Sequence, residues 1–310
     1  MCLHKCGGES VKGKMFMKIM FLNGGLANQM FQYIFYRYGQ LMNPGEEWYL
    51  DDSFFFVNDV HNGYELNRVF GLHPSLLSEY FDDDVWEYMI GLKKEGKSIP
   101  QILLENDVNI RMISEYDNWK KWNPFEGRID ELGSEFEDWM TGMKGDIYYN
   151  GYAININYFK KIESVIRSEF TFPEIEDEQN LGYLREIEES NSCAMHVRRG
   201  DFVNLNVAAP DDFYDQMVDE MLSREPDGTF FIFSDDISYC LEHRKEMGLN
   251  KPDRVIFVKG NEGEYAFRDM QLMSKCRNIM VGNSSFSFMA SILNKNPKTT
   301  LTFRKDRFGV

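Results

Sequence analysis

Apolar residues recur along this chain in two rhythms. One is the short, nearly continuous run that a strand buried on both faces produces. Such runs are Phe16–Leu22, Glu47–Leu50, Ile147–Tyr149, Cys193–Val197, Phe230–Phe233, Val255–Val258, Ile279–Val281 and Thr299–Phe303. The other is a helical spacing. Met30, Phe31, Ile34, Phe35, Tyr38, Leu41 and Met42 fall on one helix face, directly after the turn Asn23-Gly24-Gly25. Phe159, Ile162, Val165 and Ile166 predict a helix over 158–170, closed by Pro173. After about residue 180 the alternation is regular. Helices are expected near 181–189, from the Asp211 cap, near 238–247, over 264–276 and over 286–293, each lying between two strands. Strand–helix alternation of this kind yields a parallel sheet with helices on both faces. Residues 85–145, with Trp86, Trp119, Trp122 and Trp139 among charges, show no clear period and are expected to form short helices and loops.

Length and composition narrow this picture. With 310 residues, 43% of them hydrophobic, the chain can build one large core or two medium ones. The acidic, polar stretch 174–180 suggests a boundary, giving an N-terminal domain over 15–178 and a C-terminal domain over 179–310. Residues 1–14 read as a disordered tail with no secretory signal, and Met15 or Met17 is a candidate start. No apolar run reaches the roughly 18–20 residues needed to span a bilayer. Net charge of −16 argues against general nucleic-acid binding, though a local basic pocket can still hold a nucleotide. The odd count of five cysteines at wide spacing suggests reduced thiols and a cytoplasmic location, with peripheral contact to the inner face of a membrane left open. Cys2, His4 and Cys6 lack a fourth ligand for zinc.

The candidate chemistry gathers at strand ends. The run from Cys193 leads into His196-Val197-Arg198-Arg199-Gly200-Asp201. If the strand continues to Arg199, His196 and Arg198 share one face and Arg199 takes the other. Open parallel sheets bind ligands beyond the carboxyl ends of their strands. An arginine there suits a phosphate, because its planar fork donates paired hydrogen bonds and stays charged. Gly200 would permit the sharp exit. The next strand ends in Ser234-Asp235-Asp236, whose carboxylates could accept from a ribose or a guanine edge, or simply form a turn. A third ends in Gly282-Asn283-Ser284-Ser285-Phe286, a helix start whose hydroxyls and N–H groups could meet an anion, or cap the helix. Gly24 and Gly25 would let a ligand approach the backbone at a helix start, or form an ordinary tight turn. Asp82-Asp83-Asp84 has an Asp-x-Asp spacing that could hold a divalent ion or be a solvated turn.

Four segments carry a family resemblance: Gly24-Gly25-Leu26-Ala27-Asn28-Gln29-Met30-Phe31-Gln32-Tyr33; His196 to Asp201; Phe233 to Asp236; and Asp269-Met270-Gln271-Leu272-Met273-Ser274-Lys275-Cys276 with Asn283-Ser284-Ser285-Phe286-Ser287. The chain resembles the bacterial α-1,2-fucosyltransferases of glycosyltransferase family 11. That resemblance implies a GT-B fold, with two Rossmann-like domains facing a cleft. It implies GDP-fucose as donor, a galactoside 2-hydroxyl as acceptor, inversion at the sugar and no obligatory metal or other cofactor. Arg198 and the Ser284–Ser285 helix start would stabilise the departing GDP, and Asp201 is a candidate base or a turn cap. His196, which touches the donor or simply packs, and Asp235, Asp236, Asn283 and Phe286 complete the expected donor site, while Gly24, Gly25, Asn28 and Gln29 belong to the acceptor side, where Asn28 and Gln29 could orient sugar hydroxyls. Two departures stand out. Asn278-Ile279 replaces the family's His-Asn, removing a titratable ring expected near the site, and Phe288-Met289-Ala290 replaces Trp-Trp-Gly. A non-catalytic nucleotide-sugar binder and a transferase using another nucleotide sugar are the rival readings. A third, adhesion through Arg199-Gly200-Asp201, fits poorly with a strand end.

Overall fold

The computed structural model describes residues 16–114, 144–295 and 297–302. The expected tail, the Cys2–His4–Cys6 group, Trp119, Trp122 and Trp139 lie outside the described residues. The chain divides into two compact units, Met1–Thr171 and Phe172–Phe308. The division precedes the boundary at 178/179 expected from composition, for a packing reason. Phe172 stacks on Phe267, and Arg268 donates to the carbonyls of Pro173 (2.7 Å) and Glu174 (2.7 Å). The acidic linker is therefore fastened to the second unit.

The first unit is built on four strands: β1 (Met17–Phe21), β2 (Glu47–Asp51), β3 (Ile110–Ser114) and β4 (Asp146–Asn150). They are all parallel, in the order β2-β1-β4-β3. Residues Leu26–Met42 form the helix after the glycine turn, with Met30, Phe31, Ile34 and Phe35 buried. Strand β3 was not expected. It is an edge strand on which Arg111 and Met112 are exposed, so its short sequence carries no alternation to read. The stretch 158–170 is two helices rather than one, Ile156–Lys161 and Glu163–Glu169, separated where Ile162 leaves helical geometry at φ −124°. Asp82 is the N-cap of the Asp83–Lys94 helix. Asp83 and Asp84 thus lie in a first helical turn, where negative charge is favourable against the positive end of the helix dipole.

The second unit holds β5 (Ser192–Val197), β6 (Thr229–Ser234), β7 (Arg254–Phe257), β8 (Asn278–Val281) and β9 (Thr299–Thr302). All pairings are parallel, in the order β7-β6-β5-β8-β9, which is the Rossmann arrangement. Strand β5 lies at the centre, and every one of its residues is buried. Cys193, Met195 and Val197 pack on Tyr214, Met217, Val218 and Met221 of the Asp211–Arg224 helix, with Phe230 and Ile232 alongside. A full burial of each such side chain contributes roughly 1.5–3 kcal/mol, which makes β5 a rigid platform. The expected 264–276 helix is shorter, a 3-10 turn at Gly263–Tyr265 followed by Phe267–Met273. Among the described residues, no helix is long and apolar enough to cross a membrane.

Candidate functional site

Strand β5 stops at Val197, two residues earlier than expected, so Arg198 and Arg199 both lie beyond the sheet edge. Arg199 is the N-cap of a short helix, Gly200–Asn204. The carboxyl ends of β5, β6 and β7 then border a cavity of about 510 Å³. His196 and Arg198 line it from β5. Ser234, Asp235 and Asp236 line it from β6, followed by Ile237 and Leu241. The segment Val258–Gly263 lines it from β7, together with Asp269 and Phe286.

Arg198 is gripped from two sides. Its Nη2 pairs with Asp201 Oδ1 at 2.7 Å and its Nη1 with Asp235 Oδ2 at 2.8 Å. Both pairs are partly exposed, so each adds about 1 kcal/mol or less to stability. Their effect is orientation. A guanidinium has five N–H donors, and these pairs leave the others for an anion. Asp235 is itself fixed, because its Oδ1 accepts the Arg199 backbone N–H at 2.8 Å. Gly200 matters here for space and not for a left-handed turn. A Cβ at Gly200 would sit 2.5 Å from Asp235 Oδ2.

His196 is 7% exposed, and its Nδ1 has no hydrogen-bond partner among the described residues. Burial, reinforced by the Arg198 charge, pushes its imidazole down to about 3. The ring is therefore neutral at working pH and rests 5.1 Å from the Phe286 ring. Asp236 Oδ1 accepts the Tyr239 N–H at 2.9 Å, making it the N-cap of the Ile237–Glu242 helix while it also lines the cavity.

Asp269 is the site residue whose role the sequence did not reveal. Burial pushes its carboxyl up to about 7, against a lowering hydrogen bond from Asn261. Asn261 Nδ2 donates to Oδ1 at 2.8 Å, and Asn261 is held in turn by Asn180, whose Nδ2 and Oδ1 reach it at 2.8 and 2.9 Å. A perturbed carboxyl lining a cavity beside Arg198 and Asp235 is a candidate ligand contact.

Other expected residues lie elsewhere. Ser284 Oγ accepts the Phe286 N–H at 3.2 Å and is the N-cap of the Ser285–Leu293 helix. Asn283 Nδ2 donates to the Val207 carbonyl at 3.0 Å. Asn283, Ser284 and Ser285 are not among the residues lining the cavity, whereas Phe286, the next residue, is. Asn278 lies at the amino end of β8, bonded to Asn191 Oδ1 and the Ser192 carbonyl. The departure there falls at the sheet edge opposite the cavity, so it removes nothing from this site. In the first unit, Gly24 takes φ +74° and needs glycine. Gln29 is fully buried. Its Nε2 donates to the carbonyls of Gly24 and Gly63, both at 2.9 Å, and its Oε1 accepts the Glu65 N–H at 2.9 Å. Its amide therefore clamps the 63–65 loop to the glycine turn, which replaces the sugar-orienting role expected from sequence. Asn28 is half-buried beside it.

The model of the family described as Glycosyl transferase family 11 matches residues 99–306. The chain belongs to this family. It is 28% identical over 281 residues to an alpha-1,2-colitosyltransferase of Escherichia coli, spanning 88% of this chain and 86% of that one. It is 26% identical over 296 residues to the O-antigen biosynthesis glycosyltransferase WbnK of Escherichia coli, spanning 88% and 89%. Among solved structures, a mutant of Arabidopsis thaliana FUT1 in complex with GDP is similar at TM-score 0.52 and 14% identity, covering 96% of this chain and 72% of that one. The fold of this family 11 glycosyltransferase is accordingly GT-B, α/β with two Rossmann-like units on parallel sheets.

Proposed function

We propose that this glycosyltransferase moves L-fucose from GDP-fucose to the 2-hydroxyl of a terminal galactoside, with inversion and without an obligatory metal. The observation that carries the reading is the joint placement of Arg198, Asp235, Asp236 and Asp269 around one cavity beyond β5–β7. Arg198 receives the diphosphate. As the fucosyl C1–O bond breaks, its electron pair moves to the β-phosphate oxygen, where the guanidinium stabilises it. A preorganised donor of this kind commonly contributes about 3–4 kcal/mol at a transition state. Asp269, as carboxylate, accepts from the N1–H and N2–H of guanine, a pattern that uracil does not present. Neutral His196 and the Phe286 ring, packed together, wall one side of the cavity. Asp201 aligns Arg198, and although it does not itself line the cavity, its carboxylate is the candidate base for the acceptor's proton. The acceptor is assigned to the first unit, near Gly24, Gly25 and Asn28.

The GDP in the similar FUT1 structure supports the nucleotide, and the family supports the reaction class. A colitosyl donor is the second reading, favoured by the alpha-1,2-colitosyltransferase relative. The test is a donor-by-acceptor screen, with lactose as first acceptor, in the presence and absence of chelator. GDP-fucose turnover that survives chelator is the expected result. Turnover with a colitosyl donor alone selects the second reading. Full transfer by a folded Arg198→Ala protein refutes the scheme.

A further inference from the structure

Arg199 follows the phosphate-facing arginine yet does not line the cavity. Its guanidinium carbon lies 3.5 Å from the centre of the Tyr239 ring, and its Nε has no hydrogen-bond partner among the described residues. An aromatic face therefore sets the orientation of this cation. Tyr239 is itself tightly located. Its ring stacks on His243 at 3.9 Å with 16° between planes. Two groups this close to one ring occupy its opposite faces, so Arg199, Tyr239 and His243 form three layers. The layers are tied at one edge. Asp211 Oδ1 accepts the Tyr239 hydroxyl at 2.8 Å, and Asp211 Oδ2 meets His243 Nδ1 at 2.7 Å. Asp211 opens the helix that packs on the unit's core, so the stack is anchored in rigid structure.

The consequence reaches the cavity through Asp235. One of its oxygens holds the Arg199 backbone N–H and the other holds Arg198 Nη1, both at 2.8 Å. The peptide between the two arginines cannot rotate without disturbing both contacts. We infer that Tyr239, braced by Asp211 and His243, is a positioning residue: it clamps Arg199 and so fixes the angle at which Arg198 meets the donor diphosphate. This rests on reading the cavity as the donor site. It adds a second, non-contacting arginine whose work is alignment and whose flat cation, rather than its charge alone, is required.

The test uses full-length protein, steady-state transfer from GDP-fucose and GDP affinity by calorimetry. Tyr239→Leu removes the ring, and Arg199→Lys keeps the charge without the planar fork. Each is expected to lower kcat/KM by roughly 10–100-fold, mainly in kcat, as misalignment of a transition-state contact does. Tyr239→Phe keeps the ring and restores most of the rate. The double variant is expected to be no worse than about threefold below either single one, because both remove one interaction. Additive losses, or wild-type kinetics in Tyr239→Leu, overturn the inference. Should Tyr239→Leu fail to fold, Arg199→Lys decides by itself, and full rate there overturns it. Wild-type protein that binds no GDP overturns the donor reading and this one with it. Wild-type protein that binds GDP, with kinetics indifferent to both substitutions, overturns this one alone.

Discussion

Replacing Gly200 by alanine puts a methyl group where the Asp235 carboxylate now stands. The added carbon would lie 2.5 Å from Oδ2 and 3.4 Å from Cγ. Ordinary contact begins near 3.4 Å, so the oxygen has to retreat by about 0.9 Å. That same oxygen holds Arg198 Nη1 at 2.8 Å. A retreat of this size directed away from Arg198 takes the pair beyond hydrogen-bonding range and leaves the Asp201 pair as the remaining ionic tether. The direct stability loss is about 1 kcal/mol, since the pair is partly exposed. Alanine at a helix start recovers about 0.5–1 kcal/mol over glycine. The two effects oppose, so Tm should move by no more than about 2–4 °C. Catalysis has no such compensation, and kcat/KM should fall about 10–100-fold from misalignment. The assay is transfer from GDP-fucose beside a melting curve. Gly282→Ala is the control, because its methyl would meet the nearest atom, Phe213 Cε1, at an ordinary 3.6 Å. Wild-type kcat/KM in Gly200→Ala would show that the Asp235 clamp does not align Arg198.

Other expectations follow from the same geometry. The Asp269 carboxyl, pushed up to about 7, is protonated in the folded protein where an unfolded Asp is ionised. Its contribution to stability is therefore complete below about pH 4 and lost as pH rises through 7, while GDP affinity should weaken about tenfold per unit below pH 7. Calorimetry across pH 5.5–8.5 checks this, and Asp269→Asn should flatten both profiles. Asp201→Asn removes a carboxylate that competes with phosphate for Arg198, so GDP should bind a few-fold tighter, within the ~1 kcal/mol of an exposed pair. If Asp201 takes the acceptor proton, kcat should fall about 10²–10⁴-fold in that variant, and an unchanged kcat assigns it to alignment alone. Gln29→Ala strands two carbonyls and one N–H in the first unit. Stability should drop by about 2–4 kcal/mol in urea unfolding, with GDP affinity of the folded protein retained.

How far the sequence could be read depended on the kind of signal. Strands β5, β6 and β8 were plain because continuous Val, Ile, Phe and Met runs mean burial on both faces. Edge strand β3 was hidden because Arg111 and Met112 face solvent and erase any pattern. Ser284 and Asp236 looked like ligand residues and caps alike, since a helix start asks the same chemistry of both. The structure makes both caps, and keeps Asp236 at the cavity as well. Gln29 is polar in sequence, and only its surroundings show that backbone groups from two loops engage its amide.

The division is a physical one. Local patterning determined the parallel α/β architecture, the strand ends to within a couple of residues and the presence of an arginine at the carboxyl end of β5, because periodicity and chain stiffness act over a few residues. Tertiary structure decided which of those groups carry altered chemistry. Asp269 reads as an ordinary charge on an amphipathic segment, and Gly200 as a hinge. Desolvation beside Asn261 and the approach of Asp235 give them their properties, and both depend on how the chain folds back on itself rather than on the residues next in sequence.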